Sequence, residues 1–166
     1  MPIALQQTIA ALKNWPERKQ WIAALRLAIS SLLIIAGLGF LSGWLVWAPA
    51  EFNAELLLAA ALLFFVPALL EEVIFRGVLL SWLTQVTARW GAWLSTLLFV
   101  AWHPLQALTI GPPWTTMFLH PAFWAATLIL GIILAHIRIV SRSLWPVILI
   151  HWLTVLIWKV LLGGSL

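Results

Sequence analysis

The chain has 166 residues, of which 64% are hydrophobic and 8% charged, with nine Lys/Arg against five Asp/Glu for a formal net charge of +4. A soluble domain carries about 25% charged residues, so this composition excludes an ordinary soluble fold and reads as an integral membrane protein. The absence of cysteine excludes disulfides, thiolate catalysis and zinc-thiolate sites, and so sparse a basic excess reads as membrane orientation rather than nucleic-acid binding.

In chain order, residues 1–20 are polar enough to stay outside the hydrocarbon, as a cytoplasmic or interfacial segment with Ile3, Leu5, Ile9 and Leu12 toward lipid. No cleavage-site pattern marks a signal peptide. Crossing a bilayer takes about 20 apolar residues, and the first such span runs from about Trp21 to Trp47. The second begins near Glu55 or Leu56 and runs toward Thr84. A third, short span covers about Ala92 to His103, where Pro104 is expected to end it. Pro112, Pro113 and Pro121 mark the next loop. The fourth span is about Ala122 to Val140, and the fifth opens with Pro146 near its first turn, a favoured position for proline, and runs to Leu162. The sequence thus predicts an all-α fold, a polytopic transmembrane helical bundle of about five spans. It reads as a single transmembrane domain over 21–166 with no internal repeat.

Lys13, Arg18, Lys19 and Arg26 lie at the start, Arg89 between spans two and three, and Arg138 and Arg142 between spans four and five. The connections 48–55 and 104–121 carry no Lys or Arg. The positive-inside rule therefore puts the N-terminus in the cytoplasm of a cell (inner) membrane and the C-terminus outside, with Lys159 a mild exception. Most tryptophans fall near span ends, as aromatic belts do. Trp102 and Trp152 do not: each sits beside a histidine within a span.

The segment LLEEVIFRGVLL, Leu69 to Leu80, places three charges inside this oily context. Ten of the fifteen residues from Leu56 to Leu70 are Leu, Val or Phe, each worth about −0.3 to −0.6 kcal/mol on insertion, against about +2.5 to +3.5 for a central charge. Three charges more than cancel the run, and ionisable groups at such depth mark function. Glu72 and Arg76 are four apart on one helix face and can pair. Glu71 is turned about 140° from Arg76, so it must face another helix, a water pocket, or stay protonated.

Glu71-Glu72-x-x-x-Arg76, then Phe99-x-x-x-His103, then His151 after SLWPVILIH, resembles the CAAX-protease and bacteriocin-processing (CPBP) family of glutamate intramembrane proteases. The similarity covers about residues 60–160. It implies that Glu71 works with His103 to activate a water and that His151 helps hold the oxyanion. Where much of the family has His-x-x-x-Asn, the fourth position after His151 is Val155, which donates no hydrogen bond. Thr154 is the nearest oxyanion candidate to replace it. The ending HWLTVLIWK is similar to short bacterial members linked to C-terminal protein sorting, such as those paired with JDVT-CTERM tails. The substrate implied is a protein with a membrane-embedded or C-terminal sorting segment, hydrolysed within the bilayer without a cofactor.

Chemistry points the same way. Hydrolysing a peptide without cysteine, and without an evident serine or threonine nucleophile, needs a general base for water and donors for the tetrahedral oxyanion. Glu71 and His103 suit the first task, and Glu72 with Arg76 reads as a buried support pair. Two histidines and two glutamates could also ligate zinc, although no HExxH motif is present. A small proton or ion transporter subunit, or a non-catalytic binding or immunity protein, would use the same polar residues differently. His120 reads as a solvated loop residue and His136 as a polar packing residue. Gly131-x-x-x-Ala135 would let span four pack closely on a neighbour, and Pro67 would open span two one turn before Glu71.

Overall fold

Glycine, alanine and serine at the spacing of helix turns decide which helix faces meet. On α2 (Arg18–Leu41) the buried stripe is Ala24, Ala28, Ser31, Ile35 and Gly39, so its backbone comes close to α5 (Pro121–Ser141), as small residues permit in membrane bundles. The computed structural model describes residues 1–164, and the described chain is helical, without named strands. The remaining elements are α1 (Ile3–Lys13), α3 (Ala54–Val86), α4 (Gly91–Thr109), a 3-10 helix (Pro113–Leu119) and α6 (Trp145–Leu161).

α2, α3 and α5 are each long and apolar enough to cross a membrane, and α6 is a shorter apolar helix. The core joins Ala24, Ala28 and Ile35 of α2 to Leu130 and Leu134 of α5 and to Val147 and Ile148 of α6. Large apolar side chains cover the outside, Leu33 at 69% and Leu58 at 62% exposure among them. Water would penalise such a surface; lipid does not.

Three departures from the sequence expectation have local causes. The first span stops at Leu41 rather than Trp47: Gly43 takes a positive φ of 70°, and the chain then runs extended. Ala48 and Ala50 N–H donate to Leu161 and Val160 carbonyls at 3.0 and 2.7 Å, which ties this loop to the end of α6. α4 continues through Pro104 to Thr109. A membrane helix tolerates an internal proline where neighbours support it, and here α5 and the 3-10 helix pack on α4.

The third departure is in α1: Leu12, expected toward lipid with Ile3, Leu5 and Ile9, packs against the core where the helix docks on the bundle. Ala4, Thr8 and Ala11 are buried while Ile3 and Leu5 point outward. A Cβ at Gly77 would come within 2.6 Å of Thr8 Cγ2, so the glycine sets this close approach. Leu144 N–H and Trp145 Nε1 donate to the Ala11 and Leu12 carbonyls at 3.1 and 2.9 Å. Ser143 Oγ donates to Asn14 O at 2.6 Å.

Candidate active site

α3 is not a uniform helix. It breaks at Val66 (φ −134°, ψ 114°) before Pro67, and π-helical stretches, Phe64–Leu69 and Val73–Leu79, flank the short α-turn Leu70–Glu72. Pro67 supplies no N–H to the preceding turn, and wide π turns rotate the residues after them relative to a regular helix. Both glutamates stand on the turn between them, with Glu72 at 0% and Glu71 at 7% exposure.

Glu72 is the hub of a polar cluster joining two helices. Its Oε1 accepts from Arg76 Nη1 at 2.8 Å and from His151 Nδ1 of α6 at 2.8 Å. The expected Glu72–Arg76 pair is therefore present, with a third member that sequence reading placed elsewhere. Arg76 also donates from Nη2 to the Gly131 carbonyl at 3.4 Å. Its guanidinium lies 4.0 Å from the centre of the Phe99 ring. A Cβ at Gly131 would stand 2.9 Å from Thr96 Cγ2 of α4, so the glycine read as a helix-packing residue sets the close approach of α5 to α4. Buried charge persists when it is paired and hydrogen-bonded.

Phe99, 1% exposed, is the apolar counterpart of that hub. Its ring meets Phe75, His103 and His151 edge-on at 5.3, 4.8 and 5.8 Å. Its carbonyl lies 2.9 Å from His103 Nδ1. A carbonyl only accepts, so Nδ1 carries the proton and Nε2 of neutral His103 keeps its lone pair.

Glu71 has a separate partner. Trp102 Nε1 donates to its Oε1 at 3.2 Å, while Oε2 is buried without a hydrogen-bond partner among the described residues. No hydrogen bond joins Glu71 directly to His103 among the described residues. Both line one cavity of about 720 Å³, together with His151, Thr154, Val155 and Trp158, a size suited to a small-molecule-scale guest. Thr154 Oγ1 donates to the Ile150 carbonyl one turn back at 2.7 Å. Trp44 Nε1 and Trp158 Nε1 are buried without acceptors among the described residues and belong to residues of the same wall.

The histidines outside the cluster differ from expectation: His120, read as a solvated loop residue, is half-buried and caps α5, its Nδ1 accepting from Ala122 N–H at 3.1 Å, and His136, read as a packing residue, is exposed. No group of three or more His, Asp or Glu side chains among the described residues converges as a metal site. Trp102, Phe99 and Gly131 are the contributors whose roles sequence reading missed. For Trp102 a signal existed: it was an indole inside a span that no aromatic belt explained. Trp152 was the other, and its Nε1 donates to the Ala60 carbonyl at 2.8 Å, fastening α6 to the first part of α3.

The type II CAAX prenyl endopeptidase Rce1-like family model matches residues 53–157, more than half of the chain. The chain belongs to this family. Comparison with curated proteins and with solved structures gave no match. Membership makes the Rce1-like chain a CAAX-type intramembrane protease, a hydrolase that acts on protein substrates and resides in a lipid bilayer. The matched segment takes in the whole Glu71–His151 cluster and Thr154, whereas α1 and α2 of the Rce1-like chain lie outside it.

Proposed function

We propose that the chain is a glutamate-type intramembrane endopeptidase in which Glu71 activates a water for attack on a substrate peptide carbonyl. The observation that carries this reading is the state of Glu71: a carboxylate in a cavity wall with one oxygen held by Trp102 and the other without a partner among the described residues. A general base needs one oriented oxygen pointed at the proton it removes.

In the proposed reaction Glu71 takes a proton from water while His103 Nε2 accepts a hydrogen bond from the same water and fixes its position. The hydroxide oxygen bonds to the scissile carbonyl carbon, and the carbonyl π pair moves to oxygen. His151 donates to that oxyanion through Nε2 while Nδ1 stays on Glu72. Donating from both nitrogens requires the doubly protonated ring, and the two carboxylates Glu71 and Glu72 together balance the charges of that ring and of Arg76. Glu71 delivers its proton to the scissile nitrogen, and collapse returns the pair to the carbonyl as the C–N bond breaks and the amine leaves. Glu72 and Arg76 hold His151 and the α3 turn in register and do not touch the reacting atoms.

The cavity walls support a choice of side. Residues 110–112, Trp44, Lys159 and Leu162 line it, and these belong to the bundle end whose loops lack arginine and lysine apart from Lys159. With a cytoplasmic N-terminus in the cell membrane, substrates reach Glu71 from outside, after export, carrying a C-terminal membrane or sorting segment. Comparison of C-terminal protein fragments from cells with wild-type chain and with Glu71→Gln tests the reading. The fragments that depend on the chain should vanish in Glu71→Gln; their persistence would remove the glutamate mechanism.

A further inference from the structure

At the other end of the bundle, α1, the last turns of α3 and the end of α5 enclose a second cavity of about 490 Å³ that shares no lining residue with the first. Its polar wall consists of Gln7, Asn14, Ser81, Thr84, Arg138 and Arg142. No carboxylate lines it among the described residues. Neither arginine has an ion-pair partner among the described residues, because every glutamate is placed elsewhere. Glu17 pairs with Lys19, and Glu72 with Arg76 and His151. Glu71 is in the catalytic cavity, while Glu51 and Glu55 flank the opposite end of α3.

Arg138 is not simply a solvated surface cation. It is only partly exposed, and its Nε is shut off from solvent without an acceptor among the described residues. Such a buried donor calls for a partner. Asn14 fixes the second arginine: its Nδ2 donates to the Ser141 and Arg142 carbonyls at 3.2 Å each. Arg142 adopts the left-handed conformation there (φ 54°), closing α5. Gln7 accepts from Gln85 Nε2 on its oxygen at 3.4 Å, which leaves its own amide N–H groups as donors. Asn14 and Thr84 spend their donors on backbone carbonyls, so the wall offers two guanidiniums and the Gln7 amide with no opposing negative charge among the described residues, the complement of a phosphate.

We propose that this cavity binds the phosphate of an anionic phospholipid headgroup. It sits at the ends of two long apolar helices, where headgroups lie, and Ile139, Val140 and Val86 beside it are 49, 54 and 67% exposed, a surface for acyl chains. Basic pockets between membrane helices on the positively charged side are the physical setting for such recognition. The bound lipid would bridge α1 to α3 and α5, so it stabilises the docked position of α1 by mass action. This site does not depend on the proteolytic reading.

The test uses the full chain in neutral detergent, with thermal unfolding followed during titration with short-chain phosphatidylglycerol, short-chain phosphatidylcholine or inorganic phosphate. Phosphatidylglycerol should raise Tm saturably, with much smaller shifts from the other two. Arg138→Gln combined with Arg142→Gln should lose the shift. Arg89→Gln, at the same end but outside the cavity, should keep it. Arg142 is exposed, so Arg142→Gln alone tests binding without disturbing packing, and it should raise the half-saturating lipid concentration about tenfold, as loss of one charge-assisted contact does. An unchanged titration in Arg142→Gln, or phosphatidylcholine as effective as phosphatidylglycerol, would overturn the proposal. A full shift with inorganic phosphate alone would overturn the lipid as its source.

Discussion

The Trp102 indole donates to Glu71 Oε1 at 3.2 Å, across the interface of α3 and α4. In the proposed mechanism this bond leaves Oε2 to act on water and fixes the direction in which it points. Trp102→Phe keeps the ring and removes the donor. Losing one hydrogen bond to a charged group corresponds to about 10-fold or more, so kcat should fall by at least that with KM nearly unchanged. Cleavage kinetics on a membrane peptide check this; an equal rise in KM at constant kcat would make Trp102 a substrate contact instead.

Glu71→Gln and His103→Ala should each abolish proteolysis while protein abundance stays near wild type, since neither side chain bridges helices through a charge pair. Glu72→Gln and Arg76→Ala should lower abundance as well. Removing one member of a buried pair strands the other at about 3–5 kcal/mol, and Arg76 and His151 both depend on Glu72. Quantitative immunoblotting beside the activity assay separates the two classes.

Thr154 lines the cavity, but its hydroxyl is committed to the Ile150 carbonyl at 2.7 Å, a back-bond that helices commonly offer threonine. The expected effect of Thr154→Val on single-turnover rate is therefore less than about 10-fold, below the typical value of about 10²–10³ for an oxyanion donor. A loss of about 10² would mean that the hydroxyl leaves Ile150 in the transition state and takes the role that Val155 cannot fill.

Proteolysis should survive extensive chelation, because the proposed chemistry runs through Glu71 and two histidines. Metal analysis must accompany the assay. Activity lost on chelation and restored by one equivalent of zinc would move Glu71, His103 and His151 to ligand roles.

Orientation is testable because the chain has no cysteine, so each introduced thiol reports alone. Phe52→Cys and Ile110→Cys, at positions 80% and 75% exposed, should react with a membrane-impermeant maleimide in intact cells. Arg89→Cys should react only after lysis. The reverse pattern would place the catalytic cavity on the cytoplasmic side and remove the argument for exported substrates.

The sequence by itself determined that the chain lives in lipid and that it is helical, and it located the long apolar helices. Composition and apolar run length report directly on partition between water and hydrocarbon. It also pointed to the Glu72–Arg76 pair, because that pairing depends only on neighbours within a turn. The ordered motifs were enough to point to the family that the match over residues 53–157 established. Only the tertiary structure decided that His151 reaches Glu72 across 79 positions, that Trp102 holds Glu71, and that α1 docks through Ala4, Thr8 and Ala11. Those contacts depend on how each helix is rotated about its axis. In α3 that rotation is set by π turns and a proline break, and no hydrophobic period encodes them. The same reason explains Pro104: whether a proline ends a helix or sits inside it depends on the neighbours that support the chain on either side.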